Sequence, residues 1–212
     1  MPSNSIPQRM RGRHLSEGAT HRRWALGMLR GGFPEFVNVR GLLGDESAGL
    51  TIAARVGQNL DAAFDFDDLA RLRERWPRKL VVKGVLHPGD AARMASLGVD
   101  AVWVSNHGGR QLDGAVAAAD ALPRVVEALQ GRVEVLVDSG VRRGVDALKA
   151  RALGACAVGI GRAALFGAAA GGEAGVRRAL EILTGELTLA MKLAGTPRFA
   201  AVDASILDSA RG

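Results

Sequence analysis

The second half of the chain alternates short apolar runs with longer segments of helical periodicity. The apolar runs are Leu80–Lys83, Ala101–Val104, Val133–Val137 and Cys156–Ile160. Short runs of this kind, alternating with helices of about ten residues, indicate βαβ units and a parallel sheet. The pattern therefore predicts an α/β fold.

Helices are expected between and after these strands, and twice before them. The predicted segments are Pro88–Gly98, Leu122–Leu129, Arg142–Leu153, a helix opened by Gly161-Arg162, the amphipathic Gly172–Leu193, and the earlier His21–Arg30 and Asp65–Arg75. Glycines follow several of these segments, as they do at helix ends, and acidic residues fill the first turn after Asp65. Residues 33–60 show no clear pattern.

Polar side chains follow each of the four strands, and this bears on the architecture. Four consecutive βα units with candidate chemistry at every strand's carboxyl end fit the C-terminal half of a TIM (β/α)8 barrel. A doubly wound sheet is the competing architecture, and the chemistry at all four strand ends argues against it. The sequence thus predicts half a barrel, with the first four βα units absent.

The basic residues are concentrated at the N-terminus. The net charge is +6, and residues 1–45 hold seven arginines and three acidic residues. Residues 1–20 are aperiodic, which predicts a basic tail or loop, followed by one domain at 21–212 that is best defined at 79–176. Such an arm can contact anionic lipid or nucleic acid, or it can be a solvated tail. Aromatic residues for base stacking are sparse, so no nucleic-acid partner is expected.

The remaining composition suits the cytoplasm. Residues 1–20 have no apolar stretch of the signal-peptide kind, and the chain has no run of about 18 apolar residues to span a bilayer. The single cysteine, Cys156, excludes an intramolecular disulfide and a zinc-type cluster, and its apolar neighbours predict a small buried side chain. We expect no metal site and a cytoplasmic location. The basic N-terminal segment would also allow peripheral contact with the inner face of the membrane.

The loop after the second strand combines a titratable base with an anion ligand. It reads Ser105-Asn106-His107-Gly108-Gly109-Arg110-Gln111. An imidazole accepts a proton near neutral pH, and a guanidinium holds a carboxylate through two parallel hydrogen bonds. The two intervening glycines let the backbone approach a ligand closely. His107 is therefore a candidate base and Arg110 a candidate carboxylate ligand.

The other strand ends carry groups suited to an anionic cofactor. Lys83 ends the first strand, where an ammonium is costly to bury without a negative partner. It is either a cation beside a cofactor atom that becomes anionic on reduction or an ordinary surface lysine. The third strand runs into Asp138–Gly144 and the fourth into Gly161-Arg162. In a barrel these are the loops after strands seven and eight, where phosphate is commonly bound.

Together these elements resemble the family of FMN-dependent α-hydroxy-acid dehydrogenases and oxidases. The stretch Ser105–Gln111 matches the family's signature, and the similarity continues through Val82-Lys83-Gly84, Asp138–Gly144, Lys149–Ala155, Ile160-Gly161-Arg162 and Ala170–Val176. Within the family, His21–Trp24 and Asp65–Pro77 look most similar to the mandelate dehydrogenase branch. The resemblance implies oxidation of an L-2-hydroxy acid, such as mandelate or lactate, to the 2-oxo acid, with two electrons left on FMN.

The resemblance also implies a role for each matching residue. His107 looks like the base that removes a proton as the substrate is oxidised, and Arg110 like the ligand of the substrate carboxylate. Lys83 would lie at the N1/O2 edge of the flavin, and Ser105 would contact the flavin as well. The ribityl phosphate would be held by Asp138, Ser139, Gly140, Val141, Arg142, Gly161 and Arg162. Quinone or oxygen would accept the electrons, and quinone suits the mandelate dehydrogenase branch.

The chain also departs from what the resemblance implies. Family members are far longer, their site uses tyrosines whereas this sequence has none, and the segment that would supply an aspartate to orient His107 is missing. The explanations are a truncated or mis-started gene, one half that needs a complementary half, and a homo-oligomer that closes a pseudo-barrel. We expect residues 1–212 alone to bind FMN weakly and to turn over poorly. The alternative function is a non-catalytic FMN- or phosphate-binding or interaction module.

Overall fold

The computed structural model describes residues 22–31 and 63–207. The chain divides into two compact units, Met1–Phe64 and Asp65–Gly212. The predictions for residues 1–20 and 33–60 lie outside the described residues, and the predicted domain start at residue 21 stays a prediction.

In the first unit the structure describes one helix, α1, which spans Arg22–Gly31. The prediction of a helix over His21–Arg30 is confirmed to within one residue. The apolar side chains of Leu26 and Leu29 are exposed on α1.

The second unit begins with α2, Phe66–Arg75, whose start is set by its own sequence. The Asp65 carboxylate accepts hydrogen bonds from the N–H groups of Asp67 and Asp68, and the Asp68 carboxylate accepts one from the Asp65 N–H. This reciprocal arrangement is a capping box, which satisfies backbone donors that the first turn leaves free. The helix predicted over Asp65–Arg75 is confirmed.

A parallel four-stranded sheet forms the centre of the second unit. Its strands are β1 (Val81–Val85), β2 (Ala101–Val104), β3 (Glu134–Val137) and β4 (Ala157–Val158), side by side in that order. The helices between and after them are α3 (Pro88–Ser96), α4 (Ala118–Leu129), α5 (Gly144–Ala152) and α6 (Arg162–Leu193). The predicted succession of βα units is confirmed, although β4 is shorter than the predicted Cys156–Ile160.

The two faces of the sheet differ sharply in burial. One face packs against the helices, and its core consists of residues such as Val102, Val104, Val137, Leu122 and Val125, all at most 4% exposed. The other face carries Lys83, Trp103, Leu136 and Ala157, aligned in register across the four strands. Parallel sheets are normally covered on both faces. The second face is therefore the one that would line the interior of a barrel.

Two helices begin at points that differ from the prediction. α4 begins at Ala118, four residues before the expected Leu122, because burial of Ala118 and Ala121 against the sheet favours the extra turn. α5 begins at Gly144 instead of Arg142, because the Asp146 carboxylate accepts the backbone N–H groups of Arg142 and Arg143, each at 2.9 Å. Those two residues consequently stay in the loop that precedes the helix.

The C-terminal helix α6 is interrupted near its first third. Gly171 and Gly172 have non-helical backbone angles, and Gly172 has a φ of 57°. The prediction of two successive helical segments with Gly172 at their junction is confirmed. The second segment packs on α5 at a small cluster of Leu148, Ala152 and Val202, against which its Leu187, Ala190 and Met191 lie. Over the described residues, none of the helices combines the length and the apolar character that a membrane span requires.

Cys156 does not behave as predicted. The side chain is exposed, not buried, because β4 is only two residues long and pairs with β3 alone in the described sheet. Partial burial of the sulfur still raises the pKa of the thiol. The prediction of a small buried side chain was therefore wrong, and the raised pKa also disfavours a reactive thiolate.

Candidate active site

The carboxyl ends of the four parallel strands meet at one edge of the sheet, and an open cleft of about 690 Å³ lies there. All the predicted site residues except Ser105 line the cleft. They are Lys83, His107, Arg110, Asp138, Ser139, Gly140, Val141, Arg142, Gly161 and Arg162. Its volume is in the range of small-molecule sites. Residues from four separate strand ends thus share one site, as the half-barrel prediction required.

Lys83 lies at the base of this cleft and is paired. Its Nζ is 2.9 Å from Asp138 Oδ2 and donates a hydrogen bond to Ser105 Oγ at 2.9 Å. The ring of Trp103, the neighbour of Lys83 across the sheet, has its centroid 5.4 Å from the ammonium. The side chain is 40% exposed. Lys83 is therefore a cation that is neutralised on one side and open to the cleft on the other.

The Asp138 carboxylate accepts hydrogen bonds from three side chains. Its Oδ1 accepts from the hydroxyls of Ser105 at 2.5 Å and Ser139 at 2.8 Å, while Oδ2 faces Lys83. Burial acts to raise the pKa of Asp138, but the bonds from Lys83 and the two serines outweigh it and hold the pKa below its usual value. Asp138 is thus ionised at neutral pH.

The loop that carries His107 has an unusual backbone. His107, Gly108 and Gly109 form a single 3-10 turn with φ values of 56°, 68° and 75°. The His107 N–H donates to Ser105 Oγ at 3.1 Å, and the Gly108 N–H donates to Asn106 Oδ1 at 3.0 Å and Ser139 Oγ at 3.2 Å. A positive φ at a non-glycine residue is strained and persists only where surrounding contacts enforce it.

The side chains of His107 and Arg110 are both exposed at the cleft. In the part of the chain that the structure describes, no carboxylate pairs with the His107 imidazole. The loop therefore presents a base and a guanidinium, three residues apart, to the same open volume. This spacing suits a ligand in which a carboxylate lies next to a group that loses a proton.

The two arginines of the loop before α5 have different environments. The Nε of Arg143 pairs with Glu186 at 2.8 Å, and the Gly144 N–H donates to the same carboxylate at 2.8 Å. These contacts lower the pKa of Glu186 and raise that of Arg143. Arg142 instead lines the cleft. The resemblance gave a phosphate role to Arg142 alone, but the sequence did not indicate the partner of Arg143, because Glu186 lies in α6.

Arg162, at the start of α6, reaches across to the His107 loop. Its guanidinium packs on Gly108, where an added Cβ would lie 3.1 Å from Nη2. Gly108 is thus needed for a positive φ and for this close approach. The contact brings the predicted phosphate-binding arginine beside the predicted catalytic loop.

The residues present fit an anionic cofactor that carries a phosphate. The cleft holds four permanent cations, Lys83, Arg110, Arg142 and Arg162, against one carboxylate that is already paired. Ser139 and Gly140, in the loop after β3, have φ values of 75° and 88°. The excess of positive charge is what fits an anionic ligand.

Some residues in and beside the cleft escaped the sequence analysis. Leu165 and Phe166 line the cleft and are 64% and 67% exposed. Trp103 faces the same side of the sheet, and its buried Nε1 has no hydrogen-bond partner among the described residues. Gly159 makes room for that ring, since a Cβ there would lie 2.6 Å from Trp103 Cζ2. The only available signal was the large apolar pair Leu165-Phe166, which begins three residues after Arg162.

Comparison with known proteins finds relatives over nearly the whole chain. The profile of the FMN-dependent dehydrogenase family matches residues 2–209. L-lactate oxidase from Nostoc sp. is 51% identical over 150 residues, which are 71% of this chain and 41% of that protein. L-lactate dehydrogenase from Xanthomonas euvesicatoria pv. vesicatoria is 39% identical over 198 residues, which are 92% of this chain and 50% of that protein.

The fold also has solved counterparts. The crystal structure of (S)-mandelate dehydrogenase, described as a monotopic membrane protein, superposes with a TM-score of 0.86 at 39% identity. The superposition covers 93% of this chain and 52% of the other. The chain thus spans about half the length of the relatives it matches. The predicted architecture, part of a (β/α)8 barrel, is confirmed.

Proposed function

The chain belongs to the FMN-dependent dehydrogenase family, and from this membership we propose that it forms the FMN- and substrate-binding half of an enzyme that oxidises an L-2-hydroxy acid to the 2-oxo acid. The observation that carries the proposal is the single cleft into which His107, Arg110, Lys83 and the two phosphate-loop arginines converge. FMN supplies the acceptor for the two electrons of that oxidation.

The residues that would hold the cofactor line the cleft. Arg142 and Arg162 would supply charge for the ribityl phosphate, and the backbone of Ser139, Gly140, Val141 and Gly161 would supply N–H donors beside them. Lys83 would lie at the flavin ring, and Ser105, which is buried behind the cleft, would support it by accepting a hydrogen bond from its Nζ. A cation at that position stabilises a ring that gains negative charge on reduction.

The substrate would bind across the His107 loop. Arg110 would hold the carboxylate through a bidentate pair, which orients the neighbouring C2 toward the imidazole. His107 would accept the proton released as the hydroxy acid is oxidised. A base and a cation three residues apart on one loop match the adjacent carbinol and carboxylate of a 2-hydroxy acid.

The finer parts of the proposal rest on the named relatives. L-Mandelate and L-lactate are the first substrates to test, because the relatives are named for these acids. Quinone and oxygen are the acceptors to compare, since the relatives include both a dehydrogenase and an oxidase. The basic segment at residues 1–45 is the proposed site of contact with anionic lipid, in keeping with the monotopic membrane relative.

The uncovered sheet face bears on how active this chain is by itself. Lys83, Trp103 and Ala157 lie on a face that no described element covers. We propose that a complementary half or a second copy of the chain closes it, and that the purified chain alone binds FMN weakly.

Flavin titration with L-mandelate or L-lactate turnover tests this proposal directly. We expect sub-stoichiometric flavin and slow turnover. Stoichiometric flavin with fast turnover would overturn the expectation of a half-site, and complete failure to bind FMN would overturn the proposed function.

A non-catalytic FMN- or phosphate-binding module is the second candidate. It is favoured by one observation, the absence of a carboxylate partner for His107 in the described residues. The phosphate loops would retain their charge in such a protein. The two candidates differ in whether His107→Ala changes any measurable rate.

A further inference from the structure

The Asp138 carboxylate connects two parts of the cleft that are far apart in sequence. Oδ2 faces the Lys83 ammonium, and Oδ1 accepts hydrogen bonds from the hydroxyls of Ser105 and Ser139. Each of these hydroxyls in turn accepts a backbone N–H from the catalytic loop, that of His107 for Ser105 and that of Gly108 for Ser139. One carboxylate thus lies behind both the lysine and the loop.

We propose that Asp138 is a positioning residue that fixes the Lys83 ammonium and the backbone of the His107 loop in a single arrangement. Its relevance to catalysis rests on the proposed function. The arrangement itself concerns only residues of this chain. Asp138 therefore acts through its neighbours and not as a ligand of the phosphate.

The direction of the hydrogen bonds supports this role. A serine hydroxyl has one proton, so a hydroxyl that donates to the carboxylate has only lone pairs left for its other partners. Those lone pairs face the N–H groups of His107 and Gly108. An ionised carboxylate accepts the two hydroxyls on Oδ1 and faces the Lys83 ammonium with Oδ2 at the same time. A neutral amide of the same shape could accept both hydroxyls only by turning its NH₂ group toward that ammonium, which is unfavourable.

Backbone strain explains why such a support is needed. His107 and Ser139 are non-glycine residues with φ values of 56° and 75°. Such conformations cost free energy and persist only where contacts enforce them. Ser105 Oγ and Ser139 Oγ are acceptors that the Asp138 carboxylate orients at this strained turn. Asn106 Oδ1 is a further, local acceptor for the Gly108 N–H.

Electrostatics disfavours the alternative role in phosphate binding. A second negative charge beside a phosphate would weaken its binding, because like charges repel strongly where water is partly excluded. Asp138 is 18% exposed, and its charge is matched by Lys83. The carboxylate therefore lowers the free positive charge at the flavin side of the cleft and leaves Arg142 and Arg162 to the phosphate.

Site-resolved amide hydrogen exchange on the purified chain without cofactor tests the proposal. In Asp138→Asn, one acceptor oxygen becomes an NH₂ donor, so the side chain cannot satisfy both Lys83 and the serines. We expect the amides of His107 and Gly108 to exchange about tenfold faster, as the loss of a hydrogen-bond network to a charged group implies. Asp100→Asn is the matched control, because Asp100 pairs with Lys79 at 2.7 Å near the opposite ends of the same strands. It should leave both amides unchanged.

A second comparison separates charge from packing. Asp138→Glu retains a carboxylate, so the amides of His107 and Gly108 should stay more protected in this variant than in Asp138→Asn. If Asp138 only filled space, the isosteric Asn variant would be the better protected of the two. If Asp138→Asn does not fold, Ser139→Ala is the alternative variant, with faster exchange expected at Gly108 alone. Unchanged exchange at Gly108 in Ser139→Ala would overturn the proposal. Slower exchange of the His107 and Gly108 amides in Asp138→Asn than in Asp138→Glu would overturn it as well. None of these readouts needs FMN, so a failure of the proposed function would be seen separately in the flavin titration.

Discussion

The contact between α5 and α6 depends on the absence of a side chain at Gly144. A Cβ at that position would lie 2.1 Å from Leu187 N and 2.5 Å from Glu186 C. Both are backbone atoms of a helix and cannot move alone, so Gly144→Ala must push the two helices apart. This separation would also loosen the bonds of the Glu186 carboxylate to the Gly144 N–H and to Arg143.

The expected cost follows from the severity of the clash. Overpacking of a well-packed contact typically costs about 1–3 kcal/mol, and a clash with backbone belongs at the upper end. We therefore expect the free energy of unfolding to fall by about 3 kcal/mol, which corresponds to a melting temperature lower by roughly 6–12 °C in a domain of this size. The cluster of Leu148, Ala152 and Val202 would lose packing at the same time.

Urea unfolding followed by far-UV circular dichroism measures this cost. The matched control is Gly185→Ala in the same helix, where an added Cβ meets no atom within 4 Å. That variant should be unchanged or more stable by up to about 1 kcal/mol, because alanine favours helix. If Gly144→Ala unfolds at the urea concentration of the unaltered chain, the close approach of α5 and α6 is refuted.

Two further predictions concern charge. Asp100 accepts bonds from Lys79 and the Leu80 N–H, which lower its pKa to about 2, so the stability it contributes is present above pH about 4 and is lost as the pH falls through about 2. Denaturation of Asp100→Asn across this range should show a deficit at neutral pH that shrinks toward pH 2, and a deficit constant with pH would contradict the assignment. Arg162→Ala should weaken FMN binding roughly tenfold or more in a fluorescence titration, since the proposed charge-assisted bond to phosphate would be lost. Arg143→Ala, whose side chain pairs with Glu186, should change FMN affinity little, and equal losses in the two variants would contradict the geometry.

The sequence predicted best what depends on local pattern. β2 coincides with the predicted Ala101–Val104, because buried β-branched residues flanked by glycine-rich turns have few alternatives. The convergence of Lys83, His107 and Arg162 also followed from the sequence, since the carboxyl ends of parallel strands must meet at one edge. The resemblance to a family added the identity of the cofactor.

Features set by contacts distant in sequence were out of reach. The pairing of Asp138 with Lys83 joins the residue after β3 to a residue of β1, and no local pattern indicates which way the carboxylate turns. The different environments of Arg142 and Arg143 depend on Glu186 in α6. Cys156 was predicted buried from its apolar neighbours, but an edge strand of two residues leaves it exposed. In each case the deciding partner lies in another element.

The central claim is that the cleft is an FMN site at which His107 acts as the base. The most direct test is the rate at which L-mandelate or L-lactate bleaches the absorbance of FMN supplied in excess to the purified chain, with and without His107→Ala. A general base contributes about a hundredfold or more, so the account predicts slow bleaching by the unaltered chain and a rate at least about a hundredfold lower in the variant. Equal rates in the two proteins, or no bleaching by the unaltered chain, would contradict it.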